Sequence, residues 1–288
     1  MLEGRFAVVT GASLGLGAEL ARHFVAEGAS VMLCARGAAP LEAIRTELAA
    51  GAAPGQQVLA RAADIGRPSD VAALFDAAFA AFPRVDVLVN NAGIHGPLGR
   101  LEEIDAEAWM AAVNVNLFGP LHCCRAALPA MRRAGYGKII NLSGGGATAP
   151  MPFMSAYAAS KAALVRLSET LAVELAGTGI DVNAVAPGAM ATRLLDEVLE
   201  AGATRVGEDY HRRVQQIREK GGTPPAVAAA LCVFLASAES DGITGKLISA
   251  PWDRWRDWPR HLDELRGSDV YTLRRIAGRD RGMTWGDA

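Results

Sequence analysis

The sequence predicts a doubly wound α/β fold: a parallel sheet of about seven strands, helices on both faces, and a C-terminal extension. Short β-branched apolar runs alternate with longer Ala/Leu/Glu-rich stretches of helical period along most of the chain, the pattern of strand–helix–strand units. The first strand is followed at once by a glycine-rich turn and then a helix, and crossovers of this kind are right-handed. With 288 residues, 51% of them hydrophobic, there is ample material for one large buried core.

Composition also excludes several classes of function. A net charge of −2 offers no basic excess for phosphate backbones, so nucleic acid is not an expected partner. No apolar run reaches the roughly eighteen residues needed to cross a bilayer. "MLEGRFAVVT" runs almost directly into a strand, which leaves no room for a signal peptide and points to the cytoplasm. Cys34, Cys123, Cys124 and Cys232 have neither CxxC nor Cys/His spacing. They read as reduced core thiols, with no metal site and no disulfide framework.

The elements follow in order. A strand over 5–10 leads into Thr10-Gly11-Ala12-Ser13-Leu14-Gly15-Leu16-Gly17 and a helix over 15–27. Glycines at this junction let backbone approach a pyrophosphate, which then rests on the free N–H groups of the helix. The second strand, 30–35, ends in Ala35-Arg36. A carboxylate for a ribose 2′-hydroxyl is missing there; Arg36 suits a 2′-phosphate instead, with Ser13 adding a hydroxyl. That favours NADP(H), with NAD(H) as the second option. After a helix over 40–50, the third strand, 57–63, ends at Asp64-Ile65, which suits an adenine edge or, alternatively, a helix cap. A helix over 68–81 and a strand over 85–90 lead to Asn90-Asn91-Ala92-Gly93.

A long helix is expected over 105–134, then a strand over 137–143 ending in Ser143-Gly144-Gly145-Gly146, then a helix over 155–176. That helix carries Tyr157 and Lys161, whose spacing of four puts both on one face. A neighbouring ammonium favours the phenolate and draws a tyrosine towards a working pKa. A strand over 179–185 precedes Pro187-Gly188 and a mixed-charge insertion over 187–222; a helix over 224–238 and a strand over 246–249 close the alternation. Residues 250–288 carry four of the five tryptophans, eight Arg and seven Asp/Glu. Cancelling charge argues against a nucleic-acid surface, so this Trp-rich segment is expected to pack on the domain over 1–249 or on a partner subunit.

Over about residues 4–249 the set of motifs resembles the short-chain dehydrogenase/reductase family: TGxxxGxG, NNAG, Asn116 within "VNVNLFG", YxxxK, and Pro-Gly with Thr192 beyond it. The resemblance implies a Rossmann-type domain transferring hydride between a nicotinamide and a carbonyl or hydroxyl carbon of a small molecule. It implies Tyr157 as acid/base, Lys161 on the nicotinamide ribose, Asn116 in a proton relay, and Pro187, Gly188 and Thr192 at the nicotinamide amide. Gly11, Ser13, Leu14, Gly15, Leu16, Gly17, Arg36, Asp64, Ile65, Asn91, Ala92 and Gly93 complete the cofactor-binding set, and a homodimer or homotetramer is the implied assembly.

One position departs from the pattern. The family's substrate-orienting serine stands thirteen residues before the tyrosine, and here that residue is Gly144; Ser143 is one place early. Strand side chains alternate, so Ser143 is expected to miss the substrate unless a bulge corrects it, with Thr148 and Ser155 as substitutes. The missing serine keeps two other functions open: a non-redox lyase or epimerase, and a nucleotide-sensing protein on the same fold. Apolar Leu98, Met151, Phe153, Met154, Leu194 and Leu195 lean towards an apolar ketone or alcohol.

Overall fold

The computed structural model describes residues 1–285, so the last three positions of the C-terminal segment lie outside the described residues. Seven strands form one wholly parallel sheet: β1 Phe6–Thr10, β2 Ser30–Ala35, β3 Val58–Ala62, β4 Val87–Asn90, β5 Gly137–Leu142, β6 Ile180–Ala186 and β7 Leu247–Ser249. Their spatial order is β3-β2-β1-β4-β5-β6-β7. The order reverses between β1 and β4, which sets the glycine turn after β1 beside the NNAG segment after β4. A doubly wound sheet opens its ligand crevice at that switch point.

The central strands are largely apolar because both faces are covered, while edge strand β3 ends exposed at Arg61 and Ala62. Ala7, Val9, Val31, Leu33, Val87 and Val89 enter one apolar cluster. Their neighbours Val8, Met32, Cys34, Leu88 and Ile139 enter the cluster on the other face, as a period of two requires.

The helices are α1 Gly15–Ala26, α2 Ala38–Gly51, α3 Pro68–Ala81, α4 Ala106–Val113, α5 Gly119–Ala134, α6 Ser155–Glu174, α7 Arg193–Ala201, α8 Ala203–Val206, α9 Glu208–Lys220, α10 Pro225–Ala236 and α11 Leu262–Arg266. The expected single helix over 105–134 is divided: a π-helical turn, Asn114–Phe118, separates α4 from α5. Such turns insert one residue into the helical register and often mark functional positions; this one carries Asn116. The insertion over 187–222 folds as α7 to α9, its neck tied by an antiparallel bridge between Met190 and Gly222. All four cysteines are free and buried, and burial pushes the thiols of Cys34 and Cys124 up to about 12.

The C-terminal segment runs back across the domain. Trp255 is 4% exposed, with its ring 5.1 Å from that of Phe234 on α10, and Trp258 stacks on Tyr271 at 4.4 Å. Leu247 N donates to Tyr271 O at 2.8 Å, and Lys246 Nζ donates to Ser268 O and Val270 O at 3.2 and 3.0 Å. The free edge of β7 is thereby partly covered by the chain's own main chain. Trp252, in contrast, is 85% exposed. It follows the turn at Ala250-Pro251, where the chain leaves the sheet edge.

Candidate active site

The carboxyl ends of the strands surround a cavity of about 1200 Å³. Its floor is the turn after β1. Gly11 takes φ +66°, and a β-carbon there would lie 2.8 Å from Ala92 Cα. A β-carbon on Gly17 would overlap Gly11 O and lie 2.5 Å from Asn91 Nδ2. Only glycine permits this close approach of turn, helix and NNAG segment. Thr10 and Asn91 lock the junction: Asn91 N and Ala92 N donate to Thr10 Oγ1 at 3.1 and 3.2 Å, and Asn91 Nδ2 donates to Thr10 O at 3.0 Å. No side chain caps α1 and its first turn carries no acid, so its free N–H groups open into the cavity, ready for an anion.

The other expected nucleotide contacts line the same cavity: Ser13, Leu14, Gly15, Leu16, Arg36, Asp64, Ile65, Gly93, Pro187, Gly188 and Thr192. Arg36 is exposed and pairs with no carboxylate among the described residues. Asp64 is partly committed to its own turn, accepting from Gly66 N at 3.0 Å. A cradle shaped by glycines, an uncapped helix start and an unpaired arginine together fit a dinucleotide.

Tyr157 and Lys161 project from α6 into the cavity. Lys161 Nζ is buried, donates to Leu142 O at 2.7 Å and lies 5.8 Å from the centre of the Tyr157 ring. Burial lowers the Lys161 ammonium to about 8. The sequence-based expectation was a tyrosine drawn towards neutrality by its lysine. Instead burial, with a smaller contribution from Tyr210, pushes the Tyr157 phenol up to about 12. Desolvation sets the direction because the ring packs against an apolar cluster made of Met154 and of Leu195, Val198, Val206 and Val214 from the insertion.

Asn116 is fully buried in the π turn. Its Oδ1 accepts from Ile94 N at 2.9 Å, and its Nδ2 donates to Ile94 O at 2.8 Å and to Ser160 Oγ at 3.0 Å. Both amide protons are spent on the protein, leaving one oxygen lone pair free.

Ser143 continues the β5 register, its N donating to Val185 O at 2.7 Å. Ser143 lines the cavity, but its hydroxyl is buried with no hydrogen-bond partner among the described residues. Gly144 is the residue that faces the tyrosine: a β-carbon there would overlap Tyr157 Oη. Thr148 lines the cavity, whereas Ser155 Oγ is turned away and accepts from Trp109 Nε1 at 3.0 Å. Of the apolar candidates, Met151, Met154, Leu194 and Leu195 line the cavity; Leu98 packs in the neighbouring cluster and Phe153 against Gly207.

Sequence reasoning did not single out two buried supports. Ser160 links Asn116 to the main chain by donating to Tyr157 O at 2.8 Å. Asn141 accepts from Asn90 Nδ2 at 2.8 Å and donates to Ser168 Oγ at 2.8 Å. Ser160 and Ser168 are buried polar positions of α6, a signal visible in the sequence once Tyr157 fixes the inner face. Among the described residues no helix is long and apolar enough to cross a membrane, and no three His, Cys, Asp or Glu side chains are grouped to hold a metal ion.

The sequence model of the short chain dehydrogenases matches residues 5–202. The chain is 40% identical over 253 residues to 3beta-hydroxysteroid dehydrogenase 1 of Eggerthella lenta, covering 86% of this chain and 92% of that one. Among solved structures it resembles an actinorhodin polyketide ketoreductase with NADPH (31% identity, TM-score 0.77, covering 85% of this chain and 95% of that chain). It also resembles an NAD+-bound xylitol dehydrogenase (25% identity, TM-score 0.79, covering 86% and 98%). Glycine turn, NNAG strand end, Tyr–Lys pair and a matched span of more than half its length agree: the chain belongs to the short-chain dehydrogenase/reductase family.

Proposed function

We propose that this protein is an NAD(P)-dependent oxidoreductase that interconverts a hydroxyl and a carbonyl on a small, apolar substrate, with NADP(H) as the preferred cofactor. The observation that carries the reading is the placement of Tyr157 and the buried Lys161 on one face of α6, at the mouth of the glycine cradle. The dinucleotide, when bound, supplies or accepts the hydride. Tyr157 gives its proton to the substrate oxygen in reduction and takes it back in oxidation. A phenol held neutral by burial is a proton donor that cannot discharge before substrate arrives. Lys161 binds the ribose and holds positive charge behind the phenol, and Asn116 fixes the loop after β4 so that the cavity keeps its shape.

The preference for NADP(H) rests on Arg36, unpaired at the end of β2 where no carboxylate stands. An apolar ketone or alcohol matches Met151, Met154, Leu194 and Leu195 around the cavity, and two of the similar proteins are named for a hydroxysteroid and a polyketide. Exposed Met110 and Phe118 beside α5 supply apolar surface for a homodimer or homotetramer. The test is the change in NADPH absorbance with a panel of alkyl, aryl and cyclic ketones and, in reverse, NADP+ with the alcohols. Turnover supports the reading; tight dinucleotide binding with no turnover on any of them overturns it.

A further inference from the structure

The loop after β4 presents a side chain for which the chemistry above has no use. His95 is 7% exposed, lines the cavity and sets its ring edge-on to Tyr157, with centroids 5.1 Å apart. Its backbone is fixed on both sides. Ile94 is clamped by its two hydrogen bonds with Asn116. Gly96 takes φ +74°, and a β-carbon there would lie 2.5 Å from Ala112 Cβ, so the loop is pressed against α4. A side chain on such a loop is held in place before substrate arrives.

The two ring nitrogens have different surroundings. Nδ1 is buried, lies at an ion-pair distance of 3.5 Å from Glu197 Oε2 on α7, and makes no hydrogen bond with the described residues. The contact with His95 is the first reason that the Glu197 carboxyl is held below the usual range. Nε2 bonds to none of the described residues. Tyr157 on α6 and Glu197 on α7 are the groups against the ring; the other oxygen of Glu197 lies 3.5 Å from Arg193, and Lys161 on α6 and Tyr210 and Arg213 on α9 line the same cavity.

The serine and threonine side chains near the tyrosine offer no open hydroxyl, which leaves the Tyr210 phenol and His95 as the polar groups facing it. Position 144 has no side chain, and Ser155 is engaged by Trp109. Ser143 Oγ is enclosed, and Thr148 Oγ1 is directed at Gly145 O, 3.5 Å away. We propose that His95, held by Glu197, binds the substrate's reacting oxygen and does the work of the hydroxyl that position 144 lacks. Its Nε2–H donates to the oxygen that Tyr157 protonates, while Nδ1 faces the Glu197 carboxylate. The proposal rests on Tyr157 being the acid/base.

The experiment exploits two amides: Gln places its terminal nitrogen near the position of Nε2, Asn near that of Nδ1. With acetophenone and NADPH, His95→Asn should lower kcat/KM about ten- to a hundredfold, the weight of a charge-assisted hydrogen bond. His95→Gln should stay within about fivefold of wild type, and the Kd for NADPH alone should be unchanged in both. In addition, the ring nitrogen signals of His95 in NADPH-bound Tyr157→Phe should move at Nε2 when acetophenone is added. Equal behaviour of the two amides, an unchanged kcat/KM in both, a loss confined to Tyr210→Phe, or a silent Nε2 signal would overturn the proposal. A wild type that reduces no ketone would instead refute the oxidoreductase reading, while the Nε2 signal would still decide the role of His95.

Discussion

Gly144 and Tyr157 are in direct apposition: the open face of the glycine receives the phenol oxygen, and a β-carbon at 144 would occupy the same space. Tyr157 therefore stands where it does because position 144 has no side chain. Gly144→Ala must displace the phenol, and its kcat is expected to fall at least about tenfold, towards the roughly 10²–10⁴-fold loss expected of Tyr157→Phe. Both variants should keep the wild-type Kd for NADPH, measured by fluorescence titration. A Gly144→Ala enzyme as active as wild type would mean that the phenol is free to move and still react.

Ser143 makes the opposite prediction. Its buried hydroxyl has no partner, and an unsatisfied buried polar group costs about 1–3 kcal/mol. Ser143→Ala should therefore melt at or above the wild-type temperature while keeping turnover within a few-fold. A collapse of activity as deep as that of Tyr157→Phe would show that substrate recruits this hydroxyl.

The buried ammonium of Lys161 ties stability to pH. Its pKa is lowered to about 8 in the folded protein from 10.5, so between those values the unfolded chain binds more protons. Stability from this group accordingly rises with pH across that window, and the penalty is at its fullest below 8. Lys161→Met removes the penalty along with the bond to Leu142 O. Thermal melts should show the variant gaining most relative to wild type at or below pH 8, with the difference moving against the variant as pH climbs towards 10.5. A difference independent of pH would mean that the ammonium is not desolvated.

Arg36→Ala should weaken NADPH about ten- to a hundredfold and NADH hardly at all, because only a 2′-phosphate offers the guanidinium an ionic partner. Parallel dissociation constants for the two cofactors read this directly. Equal losses, or a wild type that prefers NADH, would remove Arg36 from the specificity assignment.

Burial separates the tryptophans of the C-terminal segment. Trp255→Ala opens a cavity beside Phe234 and should cost about 3–5 kcal/mol, seen as a drop in Tm on the order of 10 °C. Trp252→Ala, at an exposed position, should stay within about 0.5 kcal/mol of wild type. Equal effects would mean that Trp252 is covered in solution by a partner subunit.

Local pattern determined much of this protein. The alternation of β-branched and helical stretches predicts all seven strands, because period and turn chemistry are short-range properties. The count of thirteen from Tyr157 back to Gly144 comes from the family resemblance, and with side chains alternating along a strand it predicts which of 143 and 144 faces the tyrosine. The π turn that isolates Asn116 was not legible, because its unequal register is set by packing of α4 and α5 against neighbours far away in the chain. The fate of each tryptophan was not legible either: composition supplies aromatic rings, but only the path of the chain over α10 and β7 buries Trp255 and leaves Trp252 outside. The same is true of His95. In the sequence it is a histidine in a loop, equally a pocket or a surface residue; its place beside Tyr157 and Glu197 depends on Asn116, Gly96 and the fold of α7 over the cavity. Electrostatics followed the same division. The Tyr–Lys spacing was visible, but the direction of the phenol's shift was decided by desolvation, which depends on how many apolar groups the tertiary structure packs around the ring.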